Sequence, residues 1–63
     1  MNIDELRKAA IDAAKTLHPE GIQFRTQVGI GDDYVEILHE LDNGGYAWIN
    51  SGIYLDDIEK ENK

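Results

Sequence analysis

Apolar residues recur along this chain in two rhythms, every three or four residues as far as Leu17 and every second residue from Ile22 onward. Ile3, Leu6, Ala10, Ala13 and Leu17 form one stripe at helical spacing, with Ala9 and Ala14 beside it and Arg7, Lys8, Asp12 and Lys15 mostly outside it. Asn2 is placed to cap a helix beginning at Ile3, and Glu5 can reach back to it as in a capping box. Asp4 and Glu5 also lie at the positive end of the helix dipole. Pro19 disfavours helical backbone at His18, so the helix should end near Leu17, with Glu20 and Gly21 completing the corner.

The second rhythm predicts strands. Ile22 to Val28 alternates, with Ile22, Phe24, Thr26 and Val28 on one side and amides plus Arg25 on the other. After the short connection Gly29-Ile30-Gly31-Asp32-Asp33, Tyr34 to Leu41 and Tyr46 to Asn50 flank Asp42-Asn43-Gly44-Gly45 as a β-hairpin. Asn43-Gly44 suits a two-residue type I′ turn, which needs positive φ at both central positions. That turn would set Leu41 against Tyr46, His39 against Trp48 and Ile37 against Asn50. Val35, Ile37, His39, Leu41, Tyr46, Trp48 and Asn50 would then share one face, and Tyr34, Glu36, Leu38, Glu40, Ala47, Ile49 and Ser51 the other. Glu36 and Glu40 resist burial, so the first set is expected to face the core. A three-residue loop would turn one strand over and undo this assignment.

The expected fold is α+β, an N-terminal helix packed on a three-stranded antiparallel meander. Ile53 to Leu55 fits either a short fourth strand or the opening of a C-terminal helical turn. Residues 1–63 should make a single compact domain with 60–63 frayed. Ala9, Ala10, Ala13 and Ala14 leave space that Trp48, Phe24 and Tyr46 are expected to fill, which places Trp48 in the core. With only 63 residues, about 60% of the surface exposed by the unfolded chain can be buried, so stability should be marginal.

Charge changes this picture from a generic small domain to a polarised one. Residues 1–25 hold four acids and four bases, whereas residues 26–59 hold eight acids (Asp32, Asp33, Glu36, Glu40, Asp42, Asp56, Asp57, Glu59) and no Lys or Arg. The net charge of −7 therefore belongs to the hairpin and the residues C-terminal to it. Such a field repels nucleic acid and anionic membranes and attracts basic protein surfaces. Helix, three strands and a last helix is also the order of a double-stranded RNA-binding domain, but the charge has the wrong sign for contacts to phosphate. The absence of cysteine rules out a disulfide framework, the start Met1-Asn2-Ile3-Asp4-Glu5 does not resemble a signal peptide, and a cytoplasmic protein is expected.

Residues with chemical potential read better as structure. Gly29-Ile30-Gly31 lacks the third glycine and the Lys-Ser/Thr of a phosphate loop, and Asp32-Asp33 would repel a phosphate. His39 and Glu40 point to opposite faces of a strand, so with Asp42 they do not converge on a metal; His39 is expected half-buried near Trp48. His18 suits the negative end of the helix dipole. Glu36 and Glu40 share a face, with about 13 Å between their Cα atoms and no cleft around them. No catalytic residues, metal or cofactor are expected.

The surface singled out is the outer sheet face. Tyr34, Leu38, Ala47 and Ile49 form an apolar patch flanked by Glu36 and Glu40, with Asp32, Asp33 and Asp42 at its ends and Asp56 and Asp57 beyond. An apolar centre with a charged rim is the anatomy of a protein-binding surface. A second copy of the chain, or residues 53–58 folding back, are the alternative covers for it.

In length, lack of cysteine, α+β content and an acidic half free of basic residues, the chain resembles the small acidic inhibitors of phages and mobile elements, including many anti-CRISPR proteins and other DNA mimics. The resemblance is one of class and rests on the acidic set from Asp32 to Glu59, with no ordered motif to carry residues across. It implies stoichiometric inhibition, in which carboxylates compete for Arg and Lys that would otherwise hold phosphates on a CRISPR effector or a similar nucleic-acid-binding machine. A small regulatory domain that homodimerises through the outer face is the alternative.

Overall fold

A computed structural model of the chain describes residues 2–61. The elements come in the expected order: α1 (Ile3–Leu17), β1 (Gln23–Val28), β2 (Asp33–Glu40), β3 (Tyr46–Tyr54) and α2 (Leu55–Glu61). The strands form one antiparallel sheet in the order β1-β2-β3, so the α+β meander is as the periodicity predicts. The ambiguous C-terminal segment divides at Leu55: Ile53 and Tyr54 prolong β3, and α2 takes the rest. Lys60 and Glu61, expected to fray, belong to α2, while residues 1, 62 and 63 lie outside the described residues.

The ends of α1 are fastened as its sequence suggests. Asn2 Oδ1 accepts from the Glu5 N–H at 2.9 Å, and Asn2 Nδ2 donates to Glu5 Oε1 at 3.2 Å, a reciprocal box closed through the side-chain amide. At the other end the His18 N–H donates to the Ala14 carbonyl, and Pro19 prevents a further turn. Leu6, Ala10 and Ala14 are the buried residues of α1. Ile3 and Leu17, the first and last residues of α1, are exposed. Val28 and Ile22, read from their alternation as inward, are exposed at the two ends of the edge strand β1.

The core is aliphatic, not aromatic. Val35 and Ile37 from β2 are fully buried, Val35 clustering with Leu6, Ala10, Ala14 and Leu55, and Ile11, Phe24, Ile53 and Ile58 close its rim. Phe24 therefore takes its expected place, and Trp48 and Tyr46 do not. The reason lies in the hairpin turn. The Leu41 N–H donates to the Gly45 carbonyl at 2.7 Å and the Gly44 N–H to the Leu41 carbonyl at 3.0 Å, and of the turn residues only Gly44 has positive φ, at 85°. The connection is thus a three-residue loop, Asp42-Asn43-Gly44, a turn closed by a glycine bulge in place of the type I′ pair.

That odd residue turns β3 over relative to β2. His39 faces Ala47, Leu38 faces Trp48, Ile37 faces Ile49 and Glu40 faces Tyr46. The expected partners His39 with Trp48, Ile37 with Asn50 and Leu41 with Tyr46 are each displaced by one, which exchanges the faces of every β3 side chain. Ala47, Ile49 and Ser51 lie on the helix side, and Tyr46, Trp48 and Asn50 on the outer side. The assignment of β2 stands, with Val35 and Ile37 inward and Glu36 outward.

Candidate protein-binding face

Both helices occupy the same side of the sheet, since Leu6, Ala10 and Ala14 of α1 and Leu55 of α2 share one cluster with Val35. The outer face is therefore uncovered by any described residue, and the fold-back of residues 53–58 takes place on the opposite side. Facing residues of an antiparallel sheet share a side, so the outer surface is built in rows across the strands. One row is Gln23, Leu38 and Trp48, the next Arg25, Glu36 and Asn50, and the next Gln27, Tyr34 and Tyr54.

The centre of the face is a tied network. The Arg25 guanidinium lies over the Trp48 ring, 3.8 Å from its centroid. The same group holds Glu36 Oε1 through Nη2 at 3.0 Å and Nε at 3.1 Å. Tyr34 Oη donates to Glu36 Oε2 at 3.4 Å, and the Tyr34 and Tyr54 rings approach to 6.1 Å at a tilt. Partial burial first, and then the neighbouring Glu36 carboxylate, push the Tyr34 phenol above its ordinary value. Glu36 is thus an internal partner of Arg25 and not the free rim carboxylate that alternation alone suggests.

The residues singled out from the sequence are dispersed over the molecule. Tyr34, Glu36, Leu38 and Glu40 stand together on the outer face. Ile49 is on the helix side, half exposed beyond the edge of α1, because of the turned strand. Asp42 is in the hairpin loop at one end of the face. Asp32 and Asp33 are at the other end of β2, but Asp33 is on the side of Val35, and with Asp56 and Glu59 both line a shallow groove on the helix side, beside Gly29 and Gly31. Asp32 Oδ2 accepts from the Asp56 N–H at 3.3 Å, which joins the β1-β2 connection to α2. Asp57 lies in the first turn of α2 and does not line that groove.

Sequence reasoning placed Arg25 on the polar side of β1 without assigning it to the site, and it missed Trp48, Tyr46 and Tyr54 as residues of the outer face. The pairing of the only basic strand residue with Glu36 carries a legible signal, because a lone Arg opposite a Glu on an exposed face also favours a neighbouring aromatic ring.

On the helix side, His39 is half-buried as expected, but its neighbour is Glu20 and not Trp48. Glu20 Oε1 lies 3.5 Å from both His18 Nδ1 and His39 Nε2. His18 Nε2 contacts the Ser51 carbonyl at 3.0 Å, and a carbonyl only accepts, so this nitrogen carries the proton. The contact pins the end of α1 to β3. No group of three His, Cys, Asp or Glu side chains among the described residues is arranged to hold a metal ion. No helix among them is long and apolar enough to cross a membrane. Comparison with protein-family models, with curated proteins and with solved structures gives no match.

Proposed function

We propose that this chain is a non-enzymatic protein-binding module whose outer sheet face docks on a basic, nucleic-acid-binding surface of another protein and blocks it, in the manner of the acidic phage-type inhibitors. The observation that carries this reading is the uncovered face itself: Trp48, Tyr34, Tyr46 and Tyr54 with Arg25, on a sheet whose helices both pack elsewhere. Aromatic residues and Arg are the types enriched where protein interfaces gain most of their energy.

Charge selects the partner. Glu40 and Asp42 stand at the hairpin end and Asp32 at the other, and β2 between them spans about 23 Å at strand rise. Glu36 is neutralised by Arg25, so the centre is close to electroneutral and the two ends are acidic. A target with an apolar middle between Arg- or Lys-rich flanks would match it.

The test uses the chain with Glu40 and Asp42 reversed to Lys, which leaves the Arg25 network and Asp32 untouched. Immobilised wild type should retain a nucleic-acid-binding protein that the reversed chain does not. Nucleic acid should compete for it, and affinity should fall steeply from about 50 to about 500 mM salt. Equal retention by both chains, or retention indifferent to competing nucleic acid, overturns the reading.

A further inference from the structure

β3 is an edge strand with an unusual composition. Its nine residues, Tyr46-Ala47-Trp48-Ile49-Asn50-Ser51-Gly52-Ile53-Tyr54, include no charged residue and no proline, although the chain carries a net −7. Edge strands in natural proteins are ordinarily guarded by charge, proline or a cover, because their free N–H and C=O groups template another strand. The opposite edge, β1, is shorter and carries Arg25. Exposed apolar side chains also gather along β3, with Tyr46 59% and Ile49 41% exposed.

The hydrogen-bond phase shows which groups are free. Leu41 and Gly45 form a bonded pair across the turn, and bonded pairs alternate, so His39 with Ala47 and Ile37 with Ile49 come next. The main-chain groups of Tyr46, Trp48 and Asn50 then point away from β2 toward solvent. Beyond Asn50 the ladder breaks: β3 has three residues where β2 has only Val35, with Gly52 at φ 82°.

We propose that β3 pairs with β3 of a second copy of this chain, antiparallel about a two-fold axis at Trp48, to give a continuous six-stranded sheet. This register sets Trp48 against the partner's Trp48, and Tyr46 against the partner's Asn50, as bonded pairs that satisfy all the outward N–H and C=O groups of the three positions. Ala47 meets the partner's Ile49 between them, an apolar pair on the helix side. None of the thirteen acids lies on β3, so no carboxylate faces another across the axis. The strand is self-complementary, as an isologous contact requires. This inference is independent of the proposed function: both outer faces stay free and become contiguous.

The two chains still repel at long range because each carries −7, so salt should strengthen this dimer while weakening any complex with a basic partner. The experiment is sedimentation equilibrium of the full chain over a range of concentrations at about 50 and about 500 mM salt, with amide exchange measured residue by residue. The expected result is a monomer-dimer equilibrium favoured by salt, with the amides of Tyr46, Trp48 and Asn50 gaining protection as concentration rises. Ala47 and Ile49, bonded within the monomer, serve as internal controls. Ile49→Lys, an inward-leaning charge on a surface half exposed in the monomer, should raise the dimer dissociation constant about tenfold or more without altering the far-ultraviolet spectrum. A monomer at every concentration overturns the proposal, as does a dimer in which those three amides stay unprotected, which would assign the contact to the outer face. Loss of the monomer spectrum in Ile49→Lys leaves the exchange measurement on wild type to decide between these outcomes.

Discussion

His39 Nε2 is buried without a hydrogen-bond partner and lies 3.5 Å from Glu20 Oε1, the same oxygen that His18 Nδ1 approaches at 3.5 Å. One carboxylate therefore stands between a helix-terminal histidine and a strand histidine, at the corner where α1 is fastened to the sheet. A bond from its own main-chain N–H, and then His18 and His39, hold the Glu20 carboxyl below its ordinary value of 4.5 against the opposing pull of burial. Such a group takes up its proton more readily in the unfolded chain. It stabilises the fold above pH 4.5, and that contribution is lost as pH falls through the lower folded value. Glu20→Gln should thus lower the urea midpoint at about pH 7, and its difference from wild type should shrink as pH falls below 4.5. Curves that run parallel across that pH range would show that Glu20 has no part in fastening the corner.

The turned β3 makes opposite predictions for two large apolar residues. Ile37 is fully buried, so Ile37→Ala should cost about 2–5 kcal/mol, enough to unfold much of a domain this small. Trp48 is half-buried under Arg25 on the outer face, and Trp48→Ala should cost about 1–2 kcal/mol, chiefly the lost stack and partial burial. Denaturant titration of the two variants measures the ranking directly. If Trp48→Ala were the more damaging, the core would be aromatic after all.

The reach of the sequence can be judged from those same residues. Helical spacing, the Asn2 cap and Pro19 identify α1 almost to the residue, and alternation in β2 correctly buries Val35 and Ile37 while turning Glu36 outward, because each of these signals is local. β3 differs in kind. Its alternation defines two faces but not which is inward, and the choice passes through the turn. Asn43-Gly44 satisfies a two-residue type I′ turn and a three-residue turn with a bulge equally well, since both place Gly44 at positive φ. The competing loops differ by one residue, and one residue exchanges Trp48 with Ile49. The candidate site inherits that parity: its β2 residues are legible, and its aromatic half is not.

Gly21 reports on the same core from the opposite direction. A Cβ added there would meet Ile37 Cγ2 at 2.5 Å and Phe24 Cζ at 2.7 Å, both packed side chains with little room to retreat. Gly21→Ala should destabilise by about 1–3 kcal/mol through overpacking, despite relieving glycine's entropy cost. Its thermal midpoint should recover when combined with Ile37→Leu, which removes the Cγ2 branch where the added methyl presses. Additive losses in the double variant would place the strain elsewhere.

Asp32 separates structure from surface charge. Its Oδ2 accepts from the Asp56 N–H at 3.3 Å, so a residue from the β1-β2 connection caps the first turn of a seven-residue helix that has little stability of its own. Leu55 and Ile58 reach the core only if that turn is held. Asp32→Asn keeps an acceptor oxygen and removes the charge, and it should change stability by only a few tenths of a kcal/mol; Asp32→Ala removes both and should cost about 1 kcal/mol. The Asp56 amide should exchange faster in the alanine variant and not in the asparagine one. Equal losses in both would mean that the carboxylate acts through its charge on the α2 dipole and not as a hydrogen-bond acceptor. The acidic end of the molecule would then be neutralised only at the expense of α2, and partner attraction would be tested cleanly at the opposite end, through Glu40 and Asp42.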